Sequence, residues 1–256
     1  MQTGSPPFPH RPRSPHPPPD GQFDNVKVYT GGTGDVTQIE FGTTGRDKIV
    51  EYGGTGNSTQ YADGAASDDW ILQVGGDLTS DQTAGAGDGN DTIYQYGGKG
   101  NSTMYADGGA GEQSFTQVGG QGTNDMTLHA GSGKATIEQY GGSGKNAIDT
   151  KGSWGDDAIK MYGGPVNDTV IYRVGSGSDM VTINGGTGYD TLTIIKNQQN
   201  FTLKDYQGNV MFQTGTGGSV ITVASLERIE VIGDTGAVIY LYATVAPPVP
   251  TPPPDA

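Results

Sequence analysis

Aspartates recur in this chain at the point where a glycine-rich turn runs into a β-branched stretch. The segment GGTGYDTLTI (185–194) is the clearest copy, with Asp190 between the turn and the stretch. Carboxylate oxygens and turn carbonyls are hard donors of the kind that Ca²⁺ prefers. Aspartates spaced by one coil of a stacked fold would share an ion between successive turns. Three groups have such a regular spacing and are the predicted metal ligands: Asp47, Asp69 and Asp91; Asp157 and Asp179; Asp168 and Asp190.

The aspartates also allow a simpler interpretation, because aspartate often forms turns by hydrogen-bonding nearby main-chain groups. Metal ligation and turn formation are both open for the seven aspartates at this point. Elsewhere on the edge that carries Asp168 and Asp190, the equivalent positions lack charge, and we expect no metal there. These positions hold Ser58, Ser80, Ser102, Asn124 and Asn146.

An 11-residue repeat places each aspartate. Counted from Gly31, fifteen units run without an insertion to Ile195, with the consensus GGxGxDTIxxY. The glycine-rich positions 1 to 5 predict a turn, and positions 6 to 11 predict a strand. Glutamines and tyrosines recur in every second unit at the same position, as at Gln73 and Gln95. Two units therefore form one coil: turn, strand, turn, strand.

These periods predict an all-β fold, a parallel β-roll or β-solenoid with about 22 residues per coil. An apolar, alternating segment follows the repeats and would cover the bare edge of the last coil. Proline-rich segments stand at both ends of the chain. The predicted organisation is a proline-rich disordered tail (1–25), the roll (26–195), a C-terminal β cap (196–243) and a second proline-rich disordered tail (244–256).

The repeat also predicts which side chains point inward. Position 8 of one strand should face position 10 of the other, so that isoleucines such as Ile71 meet alanines such as Ala84. Gln73 and Gln95 would form an internal amide ladder, unless these glutamines face solvent. An outward column of tyrosine and valine is either an interface for self-association or another partner, or ordinary strand composition. It comprises Val50, Tyr52, Leu72, Val74, Tyr94, Tyr96, Val118 and Tyr140.

Composition limits the function classes. Glycine makes up 45 of 256 residues and hydrophobic residues only 32%, which favours stacked repeats over an ordinary globular core. The net charge of −14 disfavours nucleic acid as a partner. Without cysteine there is no disulfide or thiolate site. No stretch has the length of a membrane span, and the N-terminus lacks the apolar region of a signal peptide. We expect either export without such a signal or retention in the cytoplasm.

The motif GGxGxDxUx, where U is apolar, resembles the nonapeptide of the repeats-in-toxin (RTX, hemolysin-type calcium-binding) family. Gly185, Gly186, Gly188, Asp190 and Leu192 match it, and the resemblance covers residues 31–195. It implies a parallel β-roll with Ca²⁺ between successive turns and secretion without an N-terminal signal peptide. The segment LERIEVIGDTG (226–236) resembles the closing segment of such rolls. This chain departs from the family in having units of eleven residues rather than nine.

The sequence therefore favours a secreted, extracellular or cell-surface calcium-binding β-roll with a structural or adhesive role. The alternative is a calcium-independent solenoid that acts as a fibre or scaffold module. Enzyme activity is not expected, because only His129 lies in the repeats and no nucleophile motif is present. A polysaccharide-acting β-helix enzyme and an ice binder are weaker alternatives. Calcium dependence of folding separates the first two.

Overall fold

The computed structural model describes residues 18–244. They form a parallel β-solenoid of about nine coils with two strands per coil, which confirms the predicted fold class. Most of the predicted tails, residues 1–17 and 245–256, lie outside the described residues.

The described chain contains one 3₁₀ helix, Asp20–Gln22, and 21 strands. Most strands are five or six residues long because the glycine turns interrupt every unit. The strands are β1 (Asn25–Thr30), β2 (Val36–Phe41), β3 (Asp47–Tyr52), β4 (Ser58–Asp63), β5 (Trp70–Val74), β6 (Ser80–Gly85), β7 (Thr92–Tyr96), β8 (Ser102–Asp107), β9 (Gln113–Val118), β10 (Asn124–His129), β11 (Ala135–Tyr140), β12 (Asn146–Lys151), β13 (Ala158–Tyr162), β14 (Thr169–Arg173), β15 (Met180–Asn184), β16 (Thr191–Ile195), β17 (Phe201–Asp205), β18 (Val210–Gln213), β19 (Ser219–Ala224), β20 (Arg228–Ile232) and β21 (Val238–Ala243).

Odd- and even-numbered strands of the repeats separate into two sheets. Sheet A has the order β1-β3-β5-β7-β9-β11-β13-β15-β19-β17-β18, and sheet B has the order β2-β4-β6-β8-β10-β12-β14-β16-β20-β21. In the repeats each residue pairs with its equivalent in the next coil, as Gln73 does with Gln95. Glycine at the turns is required sterically, since a Cβ on Gly98 would lie 1.7 Å from the carbonyl oxygen of Gly76 one coil earlier.

The roll begins one unit earlier than the repeat count indicates. Residues 20–30 form a further unit whose strand β1 pairs with β3. Residues 18–24, placed in the disordered tail from sequence, lie against sheet A, where Lys48 Nζ donates to the Pro18 carbonyl at 2.9 Å. This unit escapes the count because it has Asp20 and Gly21 in place of the two glycines.

The C-terminal segment continues both sheets. Strand β19 pairs with β15, and β20 pairs with β16, both in parallel. Strand β17 lies beyond β19, and β18 and β21 close the two sheets as antiparallel edge strands. Phe201, Leu203, Ile229 and Val231 are buried and join the main core. The segment therefore adds a coil and covers the stack, as expected of a cap.

The interior has apolar and amide layers. The isoleucines at position 8 and the opposing alanines are buried in one continuous core, as predicted. The glutamine ladder is also confirmed, with Gln95 Nε2 donating to Gln73 Oε1 at 2.8 Å and Gln117 Nε2 donating to Gln95 Oε1 at 2.7 Å. On sheet B, Gln82 Nε2 donates to Gln60 Oε1 at 3.0 Å. These side chains are buried, so none of them faces solvent.

Candidate metal centre

The seven predicted ligands all stand at position 6, where the turn enters the strand, and they are buried in the roll. Each is at most 3% exposed. They belong to two columns, one at the start of the sheet A strands and one at the start of the sheet B strands. Asp47, Asp69, Asp91, Asp157 and Asp179 lie in the first column, and Asp168 and Asp190 lie in the second.

One carboxylate oxygen of most of these aspartates joins two coils. The amide of the position-6 residue in one coil donates to Oδ1 of the aspartate in the next. The N–H of Asp47 donates to Asp69 at 2.6 Å, that of Asp69 to Asp91 at 2.8 Å, and that of Asp168 to Asp190 at 2.8 Å. The aspartates thus act as inter-coil acceptors, which corresponds to the turn-forming interpretation of the sequence.

The other oxygen, Oδ2, divides the aspartates into two classes. In the first class it also accepts a hydrogen bond inside the roll. Asp47 accepts from the Thr43 amide at 2.5 Å, and Asp157 accepts from the Ser153 amide at 2.6 Å. The remaining bonds run from the Gly164 amide to Asp168 and from the Tyr172 hydroxyl to Asp179 at 2.5 Å.

In the second class, Asp69, Asp91 and Asp190, Oδ2 is buried and has no hydrogen-bond partner in the described structure. The cause is the backbone of the preceding turn. The residue at position 2 of these units has a positive φ: 69° at Ala65, 81° at Gly87 and 109° at Gly186. The amide of this residue therefore does not donate to the carboxylate as the Thr43, Ser153 and Gly164 amides do in the first class.

This change of backbone turns a carbonyl, in place of an amide, toward the preceding coil. A Cβ built on Gly64 would lie 2.4 Å from the Ala86 carbonyl oxygen and 2.7 Å from Asp69 Oδ2. A Cβ on Gly185 would lie 2.1 Å from the Ser225 carbonyl oxygen and 2.8 Å from Asp190 Oδ2. A carbonyl oxygen and Oδ2 thus lie near the same glycine, as the Gly185 carbonyl oxygen and Asp168 Oδ2 also do near Gly163. What distinguishes Asp69 and Asp190 is that their Oδ2 has no hydrogen-bond donor among the described residues.

Burial makes the charged form of these carboxylates costly. It raises the pKa of Asp69 to about 8, with the neighbouring Asp91 and Asp47 adding to the shift. Burial likewise raises the pKa of Asp190 to about 7, with Asp168 and Glu227 adding to it, and that of Asp91 to about 6. The pKa values of Asp157, Asp168 and Asp179 are also raised, chiefly by burial, although each carboxylate accepts hydrogen bonds that oppose the shift.

Two residues of the C-terminal segment belong to these columns but are not identified by the sequence pattern. Glu227 Oε2 accepts the Asp190 amide at 2.7 Å, and Ser219 Oγ accepts the Asp179 amide at 3.1 Å. A glutamate directly before the alternating residues of β20 is the available signal, but the 11-residue count ends at Ile195. Glu227 adds a third carboxylate to the column of Asp168 and Asp190.

A second ladder, on the outside of the turns, also escapes the sequence pattern. Side chains at position 5 accept the amide of the next coil, as Asp35 does from Asn57 at 2.8 Å and Asp68 does from Asn90 at 2.8 Å. Position 5 is variable in the repeat because aspartate and asparagine alternate there with other residues. Both residues supply the same acceptor oxygen, so the position is structural.

Within residues 18–244, no three histidine, aspartate or glutamate side chains converge as a metal-binding group. A cation beside Asp69 or Asp190 would therefore need main-chain carbonyls as further ligands, which suits Ca²⁺ with its six to eight oxygen donors. None of the described residues lies in a helix with the length and hydropathy needed to cross a membrane. Comparison of the chain with protein-family models, with curated proteins and with solved structures finds no match.

Proposed function

We propose that this protein is a secreted, calcium-binding β-roll with a structural or adhesive role and no enzymatic activity. The observation that carries the proposal is the buried, unpartnered Oδ2 of Asp69, Asp91 and Asp190. An ionised carboxylate oxygen without a partner is costly to bury, and a hard cation would remove that cost. The RTX-like repeats and the net charge of −14 point to the same ligand.

Calcium would act by stabilising the stack of coils. Asp69 and Asp190 would hold the ion through Oδ2, with turn carbonyls completing its oxygen shell. A ligand that binds only the folded chain stabilises it by about 2.7 kcal/mol at a hundredfold excess over the dissociation constant. High calcium outside the cell and low calcium inside would then couple folding to export. The expected location is extracellular or at the cell surface.

The second candidate is a calcium-independent solenoid. It is favoured by Asp47, Asp157, Asp168 and Asp179, whose carboxylates already have hydrogen-bond partners on both oxygens. In that case Asp69, whose pKa burial raises to about 8, would be largely protonated at physiological pH, and no cation would be needed to offset its charge. The tyrosine and valine column would then serve as a contact for other proteins or for further copies of the chain.

A calcium titration of the full-length chain separates the two. Thermal unfolding is followed by circular dichroism, and stoichiometry is measured by calorimetry. We expect calcium to raise the melting temperature, and magnesium to do so poorly because it requires tighter octahedral geometry. A melting temperature that is the same in chelator and in millimolar calcium would eliminate the metal-binding function.

Variants assign the effect to the sites. Asp69→Asn and Asp190→Asn should each reduce the calcium-induced rise in melting temperature. Asparagine fits this position, since Asn146 Oδ1 accepts the Gly142 amide at 2.7 Å and its Nδ2 donates to the Gly144 carbonyl at 2.8 Å. Asp125→Asn is the matched control, because it removes the same charge from an exposed position on β10. An equal reduction in this control would indicate a general charge effect instead of a site.

A further inference from the structure

The outer face of sheet A is buried at one end, where a strand in a single-layer wall would normally face solvent. Lys48, Val50, Trp70 and Leu72 point away from the interior, yet they are only 6%, 2%, 6% and 0% exposed. Further along the roll the outward positions become exposed, as at Lys160 of β13. Something therefore covers the outer face over β3 and β5.

The residues that precede β1 begin this cover. Phe23 packs against a cluster formed by Val50, Trp70 and Leu72. The Lys48 ammonium group donates to the Pro18 carbonyl at 2.9 Å and pairs with Asp20, which fixes the chain beside the second coil. Pro18, the first described residue, thus lies on this face.

Beyond this point the face is lined with aromatic rings. Trp70 and Tyr94 lie with their ring centroids 5.8 Å apart, and Tyr140 and Tyr162 stack at 5.0 Å. Tyr96 lies on β7 together with Tyr94, and burial raises its pKa to about 12. Stripes of aromatic rings are the surfaces on which proline-rich chains bind in the polyproline II conformation.

We propose that the outer face of sheet A is a binding site for a proline-rich chain, and that its occupant is residues 5–17 of the same molecule. This segment reads SPPFPHRPRSPHP. At about 3.1 Å per residue, it would reach about 40 Å from Pro18. At about 4.8 Å per coil, the five coil steps from β3 to β13 span about 24 Å.

The charges on this face give a second, weaker argument that residues 5–17 dock on sheet A. At the outward positions of β5 to β13 in the described sheet, Glu138 is the one carboxylate, and it pairs with Lys160 at 2.9 Å. It lies four coil steps from β3, which is about 19 Å. If the segment adopted polyproline II geometry, Arg13 and Arg11 would be about 16 and 22 Å from Pro18, on either side of that distance. An arginine of the segment would therefore join this surface ion pair.

The absence of cysteine allows the placement to be measured by pairs of spin labels in the full-length chain. Ser14→Cys with Thr116→Cys places one label in the segment and one on the outer face, at β9. Ser14→Cys with Thr127→Cys is the matched control, because Thr127 has the equivalent position on β10 of the opposite sheet. Docking predicts a narrow distance distribution centred below about 20 Å for the first pair and a longer distance for the control, since the two sheets alone are about 10 Å apart.

Two further measurements test whether prolines are required for docking and whether the docked segment belongs to the same molecule. Replacing Pro12, Pro15 and Pro17 by serine should broaden the short distance, whereas replacing Pro247, Pro248 and Pro250 should leave it unchanged. Diluting labelled with unlabelled protein should also leave it unchanged. Three outcomes would overturn the intramolecular assignment: a broad distance distribution in the chain with its prolines intact, equal distances for the two label pairs, or loss of the short distance on dilution. Loss on dilution would identify the segment of a second copy as the occupant. This inference is independent of calcium binding.

Discussion

The amide of Gln73 donates to a carboxylate oxygen of Glu51 one coil earlier, with Nε2 and Oε2 2.8 Å apart. Glu51 thus ends the glutamine ladder of sheet A with an acid. The other oxygen, Oε1, is buried without a partner in the described structure, and burial raises the pKa of Glu51 to about 7. A glutamine at this position would extend the ladder without a charge.

We therefore expect Glu51→Gln to stabilise the protein at pH 8. Because the pKa of Glu51 is raised in the folded chain, its contribution to folding stability is complete below the unfolded pKa near 4.5 and is lost as the pH rises through about 7. The gain should be about 1–3 kcal/mol at pH 8 and close to zero at pH 4.5. Urea unfolding at both values measures it, with exposed Glu112→Gln as control. A variant less stable than the parent at pH 8 would contradict the prediction.

Asp168→Ala should destabilise the roll in chelator as well as in calcium. Both oxygens of Asp168 accept hydrogen bonds, from the amides of Asn146 and Gly164. Its removal leaves those buried donors unsatisfied, at about 1–3 kcal/mol each. Asp69→Asn should differ, because it loses the calcium-dependent part of the stability and, at pH 8, gains stability in chelator by removing a buried charge. Denaturant melts of the two variants with and without calcium make the comparison, and a purely calcium-dependent loss in Asp168→Ala would refute it.

Stability without calcium should fall as the pH rises. Burial raises the pKa values of Asp69 and Asp190 to about 8 and about 7, so their protonated forms contribute fully to folding stability below the unfolded pKa near 3.8. This contribution is lost as the pH rises from about 3.8 to about 8. Melting temperatures in calcium-depleted buffer at pH 5, 6.5 and 8 should therefore decrease, and added calcium should restore most at pH 8. A melting temperature that rises over this range in depleted buffer would contradict the assignment.

Deleting residues 196–243 should cause unfolding or aggregation, whereas deleting residues 245–256 should not. The first deletion removes β19 and β20 and so exposes the edges of β15 and β16 together with buried Val181 and Leu192. Sedimentation and circular dichroism of the two truncated chains measure the difference. Equal damage from both deletions would show that the segment does not act as a cap.

The sequence was sufficient for the coil because a single repeat period governs turns, strands and core alike. Gln73 above Gln95 and Ile71 in the core both followed from that spacing. The division of the aspartates into two classes could not be predicted, since it depends on backbone dihedrals. Ala65 has a positive φ although it is not glycine, while Gly164 in the equivalent position does not. The first unit and Glu227 were missed because both lie where the glycine pattern weakens.

The order of strands at the C-terminal end has a consequence for folding kinetics. Along the repeats each strand finds its partner in the adjacent coil, so coils can add one after another with short loop closures. At the end of the roll, β15 pairs with β19, which comes later in the chain than β16, β17 and β18. Strand β19 must also insert between β15 and β17, although β17 precedes it in the chain. Non-local pairing of this kind is slow. Closure of the roll is therefore the step at which we expect refolding to be rate-limited.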